Sequence, residues 1–90
     1  MADKKALEEA IYSSIKAIRS QAKDITVNTK IVTDLDFESI DIIDLFFEIQ
    51  SRTNIEIDLN EIAIIIGNFE GRRFNDIKVS DILSYLESKS

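Results

Sequence analysis

Apolar residues recur at three- and four-residue spacing in separate segments of this chain, and this pattern constrains its fold more than any other feature. Such spacing places apolar side chains on one face of a helix. The first stripe consists of Leu7, Ala10, Ile11, Ile15, Ile18 and Ala22. Two further stripes consist of Ile42, Leu45, Phe46 and Ile49, and of Val79, Ile82, Leu83 and Leu86. The sequence therefore predicts helices over residues 5–22, 39–52 and 78–87.

Local residues supply start and stop signals for the second of these helices and for a further one. Ser39 has a hydroxyl that suits the cap position before a helix, and Asn54 tolerates the left-handed conformation that often ends one. In the stretch that follows, Asn60 suits a cap and Gly67-Asn68 a stop. We therefore predict a short third helix over residues 61–66.

Residues 23 to 38 lack helical periodicity and are rich in Asn, Thr and Asp, which favour turns and local caps. We predict a long loop here, held to the core by Ile31 and Leu35. The 90 residues contain no proline, two glycines and no internal repeat. The sequence thus predicts an all-α fold, a four-helix bundle in one domain spanning residues 1–90, with a long loop between helices one and two and a short third helix.

Charge and composition exclude several classes of function. The 17 acidic and 11 basic residues give a net charge of -6, which disfavours nucleic acid and anionic membranes as partners and favours basic proteins. The chain has no histidine and no cysteine, so it lacks the commonest general base and any thiol. No stretch approaches the roughly 20 apolar residues of a membrane span, and the first ten residues lack an apolar signal region. We expect a cytoplasmic monomer that is not an enzyme and does not insert stably into membranes.

The second predicted helix carries more apolar side chains than a core-facing stripe requires. At about 100° per residue, its acidic residues share one face. That face consists of Asp41, Asp44 and Glu48, and the additional apolar residues at its border are Ile40, Ile43 and Phe47. An acidic face alone is usually just solvated, and extra aromatic residues are usually core. The apolar strip beside carboxylates nevertheless suggests a docking surface.

Three segments of the chain resemble acyl carrier proteins. Residues 34–41, Asp-Leu-Asp-Phe-Glu-Ser-Ile-Asp, resemble the attachment motif of that family, which is usually an acidic residue followed by Leu-Gly-x-Asp-Ser-Leu. The following IIDLFFEIQ resembles the acidic recognition helix of the family, and residues 79–86 resemble its last helix. The similarity covers most of the chain and is strongest in residues 34–50 and 77–87.

The resemblance implies an acyl-carrier-like bundle that performs no catalysis itself. A holo carrier protein synthase, which is a phosphopantetheinyl transferase, would transfer 4′-phosphopantetheine from coenzyme A to the Ser39 hydroxyl, and the thiol of this arm would hold acyl groups as thioesters. The same resemblance implies docking to the synthase and to acyl-processing enzymes such as ketosynthases and acyltransferases. The docking residues would be Glu38, Ile40, Asp41, Ile43, Asp44, Phe47 and Glu48, of which Glu48 is added because it lies on the same helix face.

Two residues depart from the usual attachment motif. Asp36 replaces glycine, and Glu38 replaces the aspartate directly before the serine. If the glycine position requires a backbone shape that is costly for most residues, aspartate is among the less penalised substitutes. The extra methylene of Glu38 keeps the charge but moves it. These departures favour, as the alternative, an unmodified helical adaptor that docks a basic partner through its acidic second helix.

Residues 58–76 are longer and more apolar than the corresponding stretch of an ordinary fatty-acid carrier. With the preceding helix they could line an acyl-chain pocket formed by Phe46, Ile62, Ile65, Ile66, Phe69 and Phe74. The alternative is that a longer loop needs its own apolar anchors. The divergence favours, among fatty acid, lipid and related pathways, a specialised one such as envelope lipid or lipopolysaccharide synthesis. A polyketide, aminoacyl or peptidyl carrier would look nearly the same.

Two charged patterns have simpler explanations. Asp34, Asp36 and Glu38 imitate the start of a calcium loop, but Ser39 stands where the loop needs glycine and Leu45 where it needs glutamate, so no metal is expected. The basic pair at residues 72–73 could contact a phosphate, although a solvated pair is the ordinary explanation.

Overall fold

Four helices form the part of the chain that the computed structural model describes, which is residues 3–58, 60 and 77–89. They are α1 (Lys4–Ile18), α2 (Ile31–Leu35), α3 (Ser39–Thr53) and α4 (Val79–Lys89). Within those residues there is no strand, and the extended pairing is one isolated antiparallel bridge between Lys30 and Lys78. The predicted all-α class is confirmed. The predicted third helix, over residues 61–66, lies outside the described residues.

The first helix is shorter than its apolar stripe predicts. It starts where the Asp3 carboxylate accepts a hydrogen bond of 2.7 Å from the Ala6 N–H, and it ends at Ile18 because Arg19 has left the helical backbone conformation. The Ala22 N–H then donates to the Arg19 carbonyl, closing a turn. Ala22 packs against the core from this turn and not from the helix, so the predicted end at residue 22 was wrong.

The predicted long loop contains a five-residue helix, α2, which corrects that prediction. The Asp34 carboxylate accepts a hydrogen bond of 3.0 Å from the Lys30 N–H and so closes the first turn. A helix of this length shows no periodicity in the sequence. The predicted anchors are confirmed, because Ile31 is fully buried and Leu35 packs half-buried against the core.

The helix α3, which corresponds to the second predicted helix, begins at Ser39 and is followed by a left-handed Asn54, as predicted. The prediction that Ser39 caps it was wrong, because Glu38 occupies the cap position and Ser39 is the first helical residue. The Asp41 carboxylate reaches back to accept a hydrogen bond of 2.9 Å from the Glu38 N–H. The Glu38 side chain in turn accepts from the Asp41 N–H, so the two residues form a capping box and the start of α3 is fixed by the residues on either side of Ser39.

The helices enclose one apolar core, in which α1 contacts both α3 and α4. The buried residues of this core are Leu7, Ile11, Ile15, Ile31, Phe37, Ile42, Leu45, Phe46, Ile49, Ile57, Ile77, Val79, Ile82, Leu83 and Leu86. These include most of the predicted stripes. Among the helices described, none has the length and apolarity needed to cross a membrane.

Candidate functional site

A three-residue turn, residues 36–38, joins α2 to α3 and delivers the chain to Ser39. The Ile31 carbonyl accepts hydrogen bonds from the N–H groups of Asp36 and Phe37, which ends α2. The Phe37 side chain is buried in the core. The turn is thus held by its own backbone and by one aromatic anchor, and the backbone of Ser39 follows directly from it.

Asp36 has the left-handed backbone conformation, with φ 58° and ψ 42°. This is the position at which the attachment motif usually has glycine. Residues with a Cβ atom are disfavoured there, and aspartate and asparagine are the ones most often tolerated. Asp36 therefore has a backbone shape that glycine adopts readily and adds a charge where the motif has none, whereas Glu38 moves a charge by one methylene.

Arg19, which sequence patterns did not single out, contacts this turn from the end of α1. Its Nη2 donates to the Asp36 carbonyl oxygen at 2.9 Å and to the Asp41 carboxylate at 3.2 Å. Its guanidinium also lies over the Phe37 ring, 5.5 Å from the centroid. These partners are 17 to 22 residues away along the chain, so no local spacing could have revealed them. The only signal in the sequence is a cation directly after an apolar stripe.

The predicted apolar docking residues lie on one side of α3 and are largely solvent-accessible. Ile40 is 63% exposed and Phe47 is 49% exposed, while Ile43 between them is half-buried. Their spacing of three and four residues makes them neighbours on the helix surface. Ile40 and Phe47 lie about two helical turns apart and, with Ile43 between them, form a continuous strip that begins next to Ser39.

The acidic residues near this strip differ in how far their charges are already compensated. Asp44 is exposed and has no ion-pair partner among the residues described. Glu48 pairs with Arg52 one turn later at 3.4 Å, and Asp41 is held by Arg19. Glu38 is exposed beside Ser39, but its carboxylate accepts a hydrogen bond from the Asp41 N–H. The acidic charge most available to a partner is therefore that of Asp44.

One residue of the predicted acyl-chain pocket, Phe46, lies among the described residues. Phe46 is 2% exposed and packs edge to face against Tyr85, with ring centroids 6.1 Å apart. Its ring is thus part of the core between α3 and α4. The other predicted pocket residues, Ile62, Ile65, Ile66, Phe69 and Phe74, lie outside the described residues, as does the basic pair at residues 72–73.

An open groove of about 490 Å³ lies beside the turn that precedes α3. It is lined by Arg19, Gln21, Ala22, Lys23, Asp34, Leu35 and Asp36. The lining mixes two cations with two carboxylates and offers two apolar side chains, Ala22 and Leu35. Such a lining does not suit an acyl chain, which needs an apolar enclosure.

Comparison with known proteins gives one informative similarity. The chain is 28% identical over 89 residues to the acyl carrier protein of Thermotoga maritima, and the alignment covers 93% of this chain and 96% of that protein. No family model matches the chain, and no solved structure matches it. The full-length similarity supports the resemblance to the acyl carrier protein family that the sequence motifs indicate.

Proposed function

We propose that this relative of acyl carrier proteins is itself an acyl carrier, modified with 4′-phosphopantetheine on Ser39, and not an enzyme. The observation that carries the proposal is the folded form of residues 34–41. A motif that resembles the family's attachment sequence forms a left-handed turn followed by the first turn of a 15-residue helix, with Ser39 as the first helical residue. Similarity over nearly the whole length to a curated carrier supports the same conclusion.

The surroundings of Ser39 fit the proposed group. Glu38 and Ile40 on either side are exposed, which favours the approach of a modifying enzyme to this part of the chain. The first-turn N–H groups of α3 and the positive end of its dipole favour a phosphate at this end. When attached, the arm supplies a thiol that holds acyl groups as thioesters, which explains how a chain without cysteine can carry them.

Attachment in this proposal is carried out by an enzyme partner. In the proposed reaction the Ser39 hydroxyl oxygen bonds to the phosphorus that bears the pantetheine arm, and the bond from that phosphorus to the adenosine bisphosphate part of coenzyme A breaks. The serine proton passes to a base on the phosphopantetheinyl transferase. The role of this chain in the proposed reaction is to hold the backbone of Ser39 at the start of α3, directly after an ordered turn.

The surface of α3 supports docking to that transferase and to acyl-processing enzymes such as ketosynthases and acyltransferases. Ile40, Ile43 and Phe47 supply apolar contact area, and the Asp44 carboxylate supplies a charge that attracts basic patches. Such steering raises association rates without requiring tight binding, which suits a carrier that must leave each partner. Glu38, Asp41 and Glu48 complete the proposed docking surface.

The cargo we propose is an acyl intermediate of fatty acid, lipid or specialised acyl biosynthesis, with an envelope lipid or lipopolysaccharide pathway as the specialised case. The sequence of residues 58–76, which is longer and more apolar than the corresponding stretch of an ordinary fatty-acid carrier, favours a dedicated pathway over bulk synthesis. A polyketide or aminoacyl carrier shares the same attachment chemistry, and cargo is selected by the partner enzymes.

Acyl loading tests the proposal. The modified protein is incubated with a radiolabelled fatty acid, ATP and a synthetase that charges acyl carriers, and the label on the protein is then treated with hydroxylamine at neutral pH. A thioester predicts label that hydroxylamine removes and that Ser39→Ala abolishes. Label that resists hydroxylamine, or that persists in Ser39→Ala, would contradict the proposal.

The alternative, an unmodified adaptor that docks a basic partner through α3, is favoured by one observation. Glu38 moves the charge next to the serine by one methylene relative to the usual motif. Asp36 gives less support to this alternative, because aspartate is among the residues tolerated in the left-handed conformation that it has here. Ser39→Ala separates the two functions, since an adaptor would retain its partner's activity and a carrier would not.

A further inference from the structure

Arg19 ties together the segments on both sides of Ser39. Its Nη2 donates at 2.9 Å to the carbonyl oxygen of Asp36, three residues before the serine, and at 3.2 Å to the carboxylate of Asp41, two residues after it. Nη2 carries two hydrogens, so one nitrogen serves both acceptors. Because the guanidinium is planar and rigid, these contacts fix the distance between the left-handed residue and the first turn of α3.

The contact network reaches the residue next to the serine. The same Oδ2 atom of Asp41 that accepts from Arg19 also accepts from the Glu38 N–H at 2.9 Å. The cation therefore orients the carboxylate that closes the start of α3. Removing Arg19 would leave this carboxylate held by the Glu38 N–H alone and would loosen the cap on the N-terminal side of Ser39.

We propose that Arg19 is a positioning residue for Ser39, which holds the turn from Asp36 to Asp41 in the geometry that a phosphopantetheinyl transferase requires. The inference rests on the proposed function. The Arg19 side chain is 41% exposed, so its ion pair contributes little to global stability. Its effect is local, because it orders the turn before Ser39. Loss of Arg19 should therefore change the rate of modification and not the melting temperature.

Charge alone predicts the opposite effect. Replacing Arg19 with alanine makes an acidic chain more acidic and exposes the Asp41 charge, and both changes would attract a basic enzyme more strongly. A loss of modification rate in this variant therefore cannot result from weaker electrostatic attraction. The direction of the change distinguishes positioning from steering.

Arg52 provides a matched control. It pairs with Glu48 on the same helix at 3.4 Å, and its side chain is 42% exposed, nearly the same as that of Arg19. Arg52→Ala removes the same charge and an ion pair of similar length. It contacts neither neighbour of Ser39, because its pair lies two turns or more along α3.

The experiment measures kcat and KM of a phosphopantetheinyl transferase on the full chain and on Arg19→Ala, Arg19→Lys and Arg52→Ala. We expect Arg19→Ala to lower kcat/KM about tenfold, mainly through kcat, as the loss of a half-exposed charge-assisted pair implies. Arg19→Lys keeps the charge without the planar guanidinium, so its kcat/KM should lie between those of the wild type and Arg19→Ala. Arg52→Ala should leave kcat/KM unchanged or slightly raised.

Hydrogen exchange in the unmodified protein gives a second readout that does not depend on the transferase. The Glu38 amide, which donates to Asp41, should exchange faster in Arg19→Ala than in the wild type. Its exchange rate in Arg52→Ala should equal that of the wild type. Equal kcat/KM for Arg19→Ala and Arg52→Ala, or an unchanged exchange rate of the Glu38 amide, would overturn the role of Arg19. If the wild-type chain itself is not modified, the proposed function fails, and the exchange rate alone then decides whether Arg19 orders this turn.

Discussion

Phe46 and Tyr85 meet edge to face, with ring centroids 6.1 Å apart and ring planes at 87°, and this contact joins α3 to α4. The next residue along α3, Phe47, is 49% exposed although Phe46 is 2% exposed. Adjacent residues of a helix point about 100° apart, so one phenylalanine faces the core and the other faces solvent. The two identical neighbours therefore allow stability and the proposed docking to be tested separately.

The pair gives a prediction on stability. Phe46→Ala should lower the free energy of unfolding by about 3 to 5 kcal/mol, because it removes a buried ring and leaves a cavity. Phe47→Ala, in the same helix, should change it by less than about 1 kcal/mol, because a half-exposed ring loses little buried area. Urea unfolding followed by circular dichroism measures both, and equal losses for the two variants would contradict the assignment of Phe46 to the core.

Docking should show the reverse sensitivity. We expect Phe47→Ala, and Ile40→Ala beside it, to raise the KM of the transferase by about tenfold, since exposed aromatic and aliphatic anchors carry much of the binding energy of an interface. Ser51→Ala, an exposed substitution on the same helix, serves as the control and should leave KM unchanged. If the transferase has the same KM for Phe47→Ala as for Ser51→Ala, the apolar strip is not the docking surface.

The left-handed backbone of Asp36 predicts opposite effects for one substitution at two sites. Asp36→Ala should destabilise the protein by about 1 kcal/mol, because alanine is disfavoured at φ 58°. Asp44→Ala, within α3 and exposed, should stabilise it by a few tenths of a kcal/mol on helix propensity. The measurement is the urea midpoint of each variant, and a stabilising Asp36→Ala would be incompatible with the left-handed turn.

Salt should weaken docking through the exposed carboxylate of Asp44. The kcat/KM of the transferase should fall as salt is raised, because the attraction between the acidic helix and a basic enzyme is screened. Asp44→Asn should lower kcat/KM at low salt and reduce its salt dependence. Glu48→Gln, whose carboxylate is already paired with Arg52, should have a smaller effect. Equal salt dependence in all three proteins would rule out Asp44 as the steering charge.

The main helices could be predicted from the sequence because their information is local and periodic. The start of α3 at Ser39, its left-handed stop at Asn54 and the core stripes of α1 and α4 follow from spacing and cap chemistry. The two errors at helix ends, at Ala22 and at the cap of Ser39, arose because a residue can contact the core from a turn, and because a glutamate can occupy a cap that serine usually fills.

The parts that could not be predicted depend on contacts between distant residues or on elements too short for a period. The helix α2 is closed by the bond from Lys30 to Asp34, which leaves no trace in apolar spacing. Arg19 reaches Asp36 and Asp41 only once the end of α1 is packed against the turn. The fold class and the candidate attachment residue could thus be named from the sequence, but the network that holds the attachment turn could not.

The mass of the intact protein shows directly whether Ser39 accepts a phosphopantetheine arm. The full chain is incubated with coenzyme A, magnesium and a broad-specificity phosphopantetheinyl transferase, beside Ser39→Ala and the exposed control Ser51→Ala. We expect a gain of one phosphopantetheine in the wild type and in Ser51→Ala, and none in Ser39→Ala. No gain in folded wild-type protein with several transferases, or a gain that persists in Ser39→Ala, would contradict it.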